Sequence, residues 1–90
     1  MTAHKAVTVN WTDICSQSKW TDEKGLPTPK LCQTRGFLTK DTPEYIVVSA
    51  SVGMDAENDD EPFGDSTAIP RGCIEEIRFD EDRTAEPTIR

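Results

Sequence analysis

The residues able to do chemistry are few in this chain, and they are scattered. Covalent catalysis needs a nucleophile beside a positioned base, commonly histidine. The single histidine is His4, at the start of the chain. The three cysteines, Cys15, Cys32 and Cys73, lie far apart and form no C-x-x-C pair. Tetrahedral zinc takes four N/S ligands, usually arriving in close pairs, so no zinc site is expected. An odd cysteine count also argues against a closed disulfide framework, which leaves reduced, partly buried thiols. The acids Asp55, Glu57 and Asp59 are spaced like the start of a calcium loop. The sixth position of that loop should be glycine and is Asp60, and the twelfth should be a bidentate glutamate and is Ser66. Arg35-Gly36-Phe37 and Pro70-Arg71-Gly72 hold lone glycines rather than a phosphate cradle. The remaining carboxylates fall in polar stretches where nothing holds a raised pKa. The expectation is a protein that is not an enzyme and carries no metal or cofactor.

Binding is the chemistry that remains. Asp59, Asp60 and Glu61 sit beside Phe63, an aromatic ringed by charge, which is a common arrangement at the centre of an interface. Trp20 is a second aromatic in a polar stretch. These five residues form the expected partner-binding set. A competing set would hold a phosphate-bearing ligand, with Lys24, Arg35 and Arg71 on the phosphates and Trp11 stacked on a base. Charge separates the two readings. The chain carries 17 acids and 10 bases, a net −7. Residues 1–45 carry five acids and six bases, and residues 46–90 carry twelve acids and four bases, so +1 and −8 sum to that value. Direct nucleic-acid binding needs clustered bases and is not expected. An acidic second half suits a basic surface on a partner protein.

The elements that must position these residues read as short strands. Tyr45–Val52 is the longest apolar run, and it alternates, with Ile46, Val48, Ala50 and Val52 on one side. Val7, Val9 and Trp11 share a face of a first strand. Residues 12–29 read as a long connection, broken at Lys24-Gly25-Leu26-Pro27-Thr28-Pro29, with Trp11 expected in the core and Trp20 at least partly exposed, either as a plug that holds the loop on the barrel or facing a ligand. Leu31–Thr39 is the second strand, with Gly36 marking a bulge or a close backbone approach, and a turn at Pro43 makes a hairpin with the central strand. Residues 53–66 read as an acidic loop. Thr67–Pro70 is a short fourth strand, Pro70-Arg71-Gly72 makes one tight turn, and Ile74 three residues before Ile77 suggests a 3₁₀ turn feeding a last strand that ends at Phe79. A short helix over 73–78 is the rival there. Apolar residues are 34% of the chain and charged residues 30%, so the core is small.

These pieces predict one mainly β domain, a small SH3-like five-stranded barrel over residues 6–79. A flexible N-terminus over 1–5 and a disordered acidic tail over 80–90 flank it. An OB-like barrel or an open α+β sheet is the alternative. No apolar run approaches the length of a membrane span, and no apolar leader follows Met1, so a cytosolic protein that does not meet membranes is expected.

The runs Val9-Asn10-Trp11-Thr12-Asp13, Trp20, Gly36-Phe37-Leu38, Glu44-Tyr45-Ile46-Val47-Val48 and Ile69-Pro70-Arg71-Gly72-Cys73-Ile74 resemble a group of small tailed-bacteriophage proteins of unknown activity. The resemblance covers residues 7–79 and consists of structural motifs. It implies a phage accessory protein in the host bacterial cytoplasm, and it assigns no activity or site residue. The expected function is to bind and occupy or inhibit a host protein, in host takeover or anti-defence. The alternatives are an oligomer that sequesters a nucleotide signal and a minor virion component.

Overall fold

A computed structural model describes residues 4–54 and 60–85, with side chains over 4–54 and 60–80. Five strands form one antiparallel sheet: β1 (His4–Asp13), β2 (Lys30–Asp41), β3 (Tyr45–Val52), β4 (Phe63–Pro70) and β5 (Ile74–Ala85). Their order across the sheet is β4-β3-β2-β1-β5. The middle strand is therefore β2 and not the apolar β3. The expected 3₁₀ turn between β4 and β5 falls at Arg71–Cys73, ahead of Ile74, which already opens β5, and a second, Glu23–Gly25, lies in the long β1–β2 connection.

The fold turns on β2. Lys30 to Phe37 pair with β1, whereas Phe37 to Asp41 pair with β3. Phe37 alone has partners on both sides, Ala6 and Ser49. The strand hands the sheet from one wing to the other at this point, and Gly36 permits it. A Cβ on Gly36 would lie 2.5 Å from the carbonyl oxygen of Ser49 and 2.9 Å from Cγ1 of Val48. Only hydrogen fits there, so the sequence signal of a close backbone approach was correct. Thr39 then sits in a bulge, because Leu38 faces Val48 and Lys40 faces Val47. Its hydroxyl lies 2.8 Å from that of the fully buried Ser49, which lies 2.8 Å from that of Ser66. This row of hydroxyls joins β2, β3 and β4.

The bend brings together strands that do not pair. Val7 and Val9 of β1, Ile46 and Val48 of β3 and Ile69 of β4 form the buried cluster, with Trp11, Leu38, Ile74 and Ile77 packed around it. Each fully buried aliphatic side chain contributes about 1.5–3 kcal/mol by leaving water. The inward faces of β1 and β3 carry Val7, Val9, Ile46 and Val48 as read, but the alternation is not strict: Ala6, Thr8 and Ser49 on the opposite faces are also buried, Ala50 is exposed, and Trp11 lies at the margin of the core rather than inside it.

Three expectations need correction. The sheet is not closed into a barrel: among the described residues β4 pairs only with β3 and β5 only with β1. Side chains of both outer strands, Ile69 and Ile77, reach the same cluster. The wings are therefore joined by packing across the bend instead of by a backbone ladder. The outer strands are also longer than their apolar content suggests. β4 begins at Phe63 inside the stretch read as an acidic loop, and β5 continues past Phe79 to Ala85 into the stretch read as a disordered tail. Ladder pairing supplies the reason, since Val52 holds Phe63, and His4 and Lys5 hold Ala85 and Thr84 beyond a register shift. The rival helix over 73–78 does not form.

Candidate partner-binding surface

Every residue from Asp13 to Leu31 is exposed. The long connection therefore stands off the sheet. The molecule measures 58 × 26 × 25 Å with a Cα radius of gyration of 16.8 Å, against about 12 Å for a compact chain of this length. The connection is nonetheless organised by its own polar groups. Asp22 caps the 3₁₀ turn, its Oδ1 and its carbonyl oxygen each accepting from the Gly25 N–H at 3.1 Å. The Leu26 N–H donates to the Glu23 carbonyl at 3.4 Å. Thr21 crowds Gly25 so closely that an added Cβ would fall 1.8 Å from its Oγ1. The Ile14 N–H donates to Asp13 Oδ1 at 2.8 Å, and the Lys19 N–H to Gln17 Oε1 at 3.1 Å.

This polar framework leaves apolar groups in water. Trp20 is 103% exposed, Ile14 84%, Leu31 78% and Leu26 60%. Trp20, Leu26 and Pro27 line one open depression of ≈ 270 Å³ with Lys19 and Thr21. The exposure of Trp20 is as expected. Ile14, Leu26 and Leu31 were not singled out by the sequence reading. The signal for Ile14 and Leu26 is that each stands in a polar or proline-broken stretch with no apolar periodicity to bury it, whereas Leu31 opens the stretch read as the second strand and is exposed at its start.

Phe63 lies at the other end of the molecule. It opens β4 and meets His4, which opens β1, edge to face, with ring centroids 5.4 Å apart at 87°. It keeps 45% of its surface exposed. Asp60 and Glu61 precede it and are exposed, and the Gly53 N–H donates to the Pro62 carbonyl at 2.6 Å, tying the base of that loop. Asp59, with Asp55 and Glu57 of the calcium-like spacing, lies outside the described residues. The Phe63 contact is made at the first residue of β1 and the Trp20 connection leaves from its last. At about 3.3 Å per residue the strand holds them about 30 Å apart. The expected partner-binding set is therefore two separate surfaces.

The alternative ligand set does not converge either. Trp11 packs on the core margin, and its Nε1–H donates to Thr34 Oγ1 at 2.9 Å. Arg35 pairs across from Thr8, on the sheet face opposite to that of Trp11. Lys24 belongs to the 3₁₀ turn of the long connection. Arg71 is engaged elsewhere. Its backbone N–H donates to the Glu44 carbonyl at 2.9 Å, its Nε–H donates to the Thr42 carbonyl at 3.1 Å, and its guanidinium pairs with Asp41. It fastens the β4–β5 turn to the β2–β3 turn.

Among the described residues, Lys40 is the group whose ionisation is displaced. A hydrogen bond to Tyr45, with the charge interaction that accompanies it, raises the Lys40 pKa above 10.5. Its ammonium also lies 5.4 Å from the centre of the Tyr45 ring. The three cysteines are free thiols, Cys15 exposed and the other two half-buried. Among the described residues no group of three or more His, Cys, Asp or Glu side chains is placed to hold a metal ion. Comparison with protein-family models, with curated proteins and with solved structures finds no match to this chain.

Proposed function

We propose that this chain is a non-enzymatic binding protein whose principal contact is the β1–β2 connection. The observation that carries the reading is Trp20, fully exposed and lining one depression with exposed Leu26, on a segment with no buried residue. Leaving such side chains in water is unfavourable, and contiguous exposed apolar groups mark interaction sites. Tryptophan is also the residue type most enriched among interface anchors. The acidic end around Asp60, Glu61 and Phe63 has a supporting role. Its charge steers a partner with a basic surface and raises the encounter rate, an effect that salt screens. The partner is a host protein and the setting a phage infection, a reading supported only by the resemblance of the strand motifs. The order of elements, a long first connection, a hairpin and a 3₁₀ turn before the last strand, supports an SH3-like bent sheet as the scaffold.

Affinity capture from bacterial lysate tests this, using wild type, Trp20→Ala and the double variant Asp60→Ser with Glu61→Ser. We expect one captured protein, lost with Trp20→Ala. The acidic variant should capture it more slowly, and with a flatter dependence on salt. Equal capture by wild type and Trp20→Ala would refute the assignment. Recovery of a bound nucleotide in place of a protein would favour sequestration.

A further inference from the structure

We infer that Leu26–Pro29 is a preformed polyproline-II ligand for a partner protein with an aromatic-lined groove and an acidic rim. The inference rests on the binding reading above and names its class of partner. Leu26 has φ −64° and ψ 139°, which is polyproline-II backbone. The rings of Pro27 and Pro29 hold their own φ near −65°. Thr28 precedes a proline, and that position is confined to extended or polyproline-II geometry. The segment therefore starts in this conformation and has little freedom to leave it.

Its surroundings suit docking. All four residues are exposed. Among the described residues no hydrogen bond engages the backbone of Pro27, Thr28 or Pro29, so their carbonyls are open to donors on a groove wall. The Asp22-capped turn fixes the entry to the segment, and β2 starts directly after it at Lys30. Both ends are anchored, so the ordering entropy that a free peptide loses on docking is already spent. Polyproline-II segments are recognised by aromatic side chains stacking on a preformed ridge; here the ridge is a Pro-x-Pro pair, Pro27 and Pro29, in place of the wider PxxP spacing.

Charge narrows the partner further. Lys24 and Lys30 flank the segment, and neither has an ion-pair partner among the described residues. Arginine or lysine beside a proline ridge calls for carboxylates at the groove edge. The rest of the chain, at net −7 overall, opposes polyanions such as nucleic acid or an anionic membrane. Trp20 lines the same depression as Leu26 and Pro27 and extends the apolar contact beyond the ridge.

The test uses the full chain against an immobilised panel of purified SH3, WW and EVH1 domains, the modules that read this conformation. We expect binding to members with acidic rims. Pro27→Ala with Pro29→Ala should weaken it about tenfold or more, and Lys24→Ser with Lys30→Ser to a smaller extent. The acidic-end variant should bind as wild type does. An unchanged thermal midpoint for the proline variant shows that the sheet is intact. Absence of binding across the panel at about 1 mM, or binding insensitive to the proline changes, overturns the inference. A partner lost with Trp20→Ala but kept by the proline variant would leave the binding function standing and remove only the polyproline-II mode. Self-association abolished by the proline changes would make a second copy the occupant, and would overturn it as well.

Discussion

The bent sheet and the β1–β2 connection are organised by opposite means. The sheet is held by burial: Val9, Ile46, Val48 and Ile69 are at most 1% exposed and meet across a bend. The connection is held by capping and crowding among polar groups, with no buried residue and its apolar side chains turned outward. A segment organised without a core can present tryptophan and proline at no cost to the stability of the domain. Stability and binding should therefore respond to different substitutions, and each prediction below presses on that separation.

The largest effect belongs to the core. Ile46→Ala should destabilise the domain by about 2–5 kcal/mol in denaturant unfolding, through lost transfer energy and the cavity left between the wings. A cost under 1 kcal/mol would mean that the two wings are not joined by packing. Gly36→Ala comes next, at about 1–3 kcal/mol, because the new methyl meets the Ser49 carbonyl oxygen, a backbone atom that cannot swing aside. A neutral result there would show that β2 bends elsewhere.

Arg71→Ala should cost about 1 kcal/mol. The guanidinium holds Thr42 and Asp41, yet 40% of its side-chain surface is in water, which limits the worth of the ion pair. Local hydrogen exchange should quicken at the Thr42 and Tyr45 amides, since that turn loses its fastening. Trp20→Ala should change stability by no more than about 0.5 kcal/mol while abolishing capture of the partner. A stability loss comparable to that of Ile46→Ala would break the comparison, since it would place Trp20 in a core.

The smallest effect concerns pH. The Lys40 pKa is raised by its Tyr45 hydrogen bond, so the stability this pair contributes is fully present at neutral pH. It is lost as pH climbs through the folded value, above 10.5. Lys40→Met should lower the neutral-pH midpoint slightly, because Lys40 is exposed to water, and flatten the alkaline decline so that the two proteins converge at high pH. A change in the shape of the acid limb would contradict this assignment.

Local patterning determined much of the molecule. Alternation picked out Val7, Val9, Ile46 and Val48 as inward, because side chains in a strand point to opposite sides in turn, but it missed the burial of Thr8 and Ser49 and the exposure of Ala50. Gly36 announced a close approach, and Gly25, Pro27 and Pro29 announced an irregular connection in which Trp20 would be exposed. Distance is what only the tertiary structure decided. Asp60, Glu61 and Phe63 look like one surface with Trp20 until β1 is seen to hold them at opposite ends. Arg71 looks like a ligand-binding cation until the β2–β3 turn is seen to occupy it. The extents of β4 and β5 were hidden for the same reason. Their outer residues carry little apolar signal of their own and are strands because Val52, His4 and Lys5 pair with them. Closure was also beyond local pattern: whether two edges form a ladder or only pack their side chains depends on how sharply β2 turns at Gly36, and that is set by contacts between residues far apart in the chain.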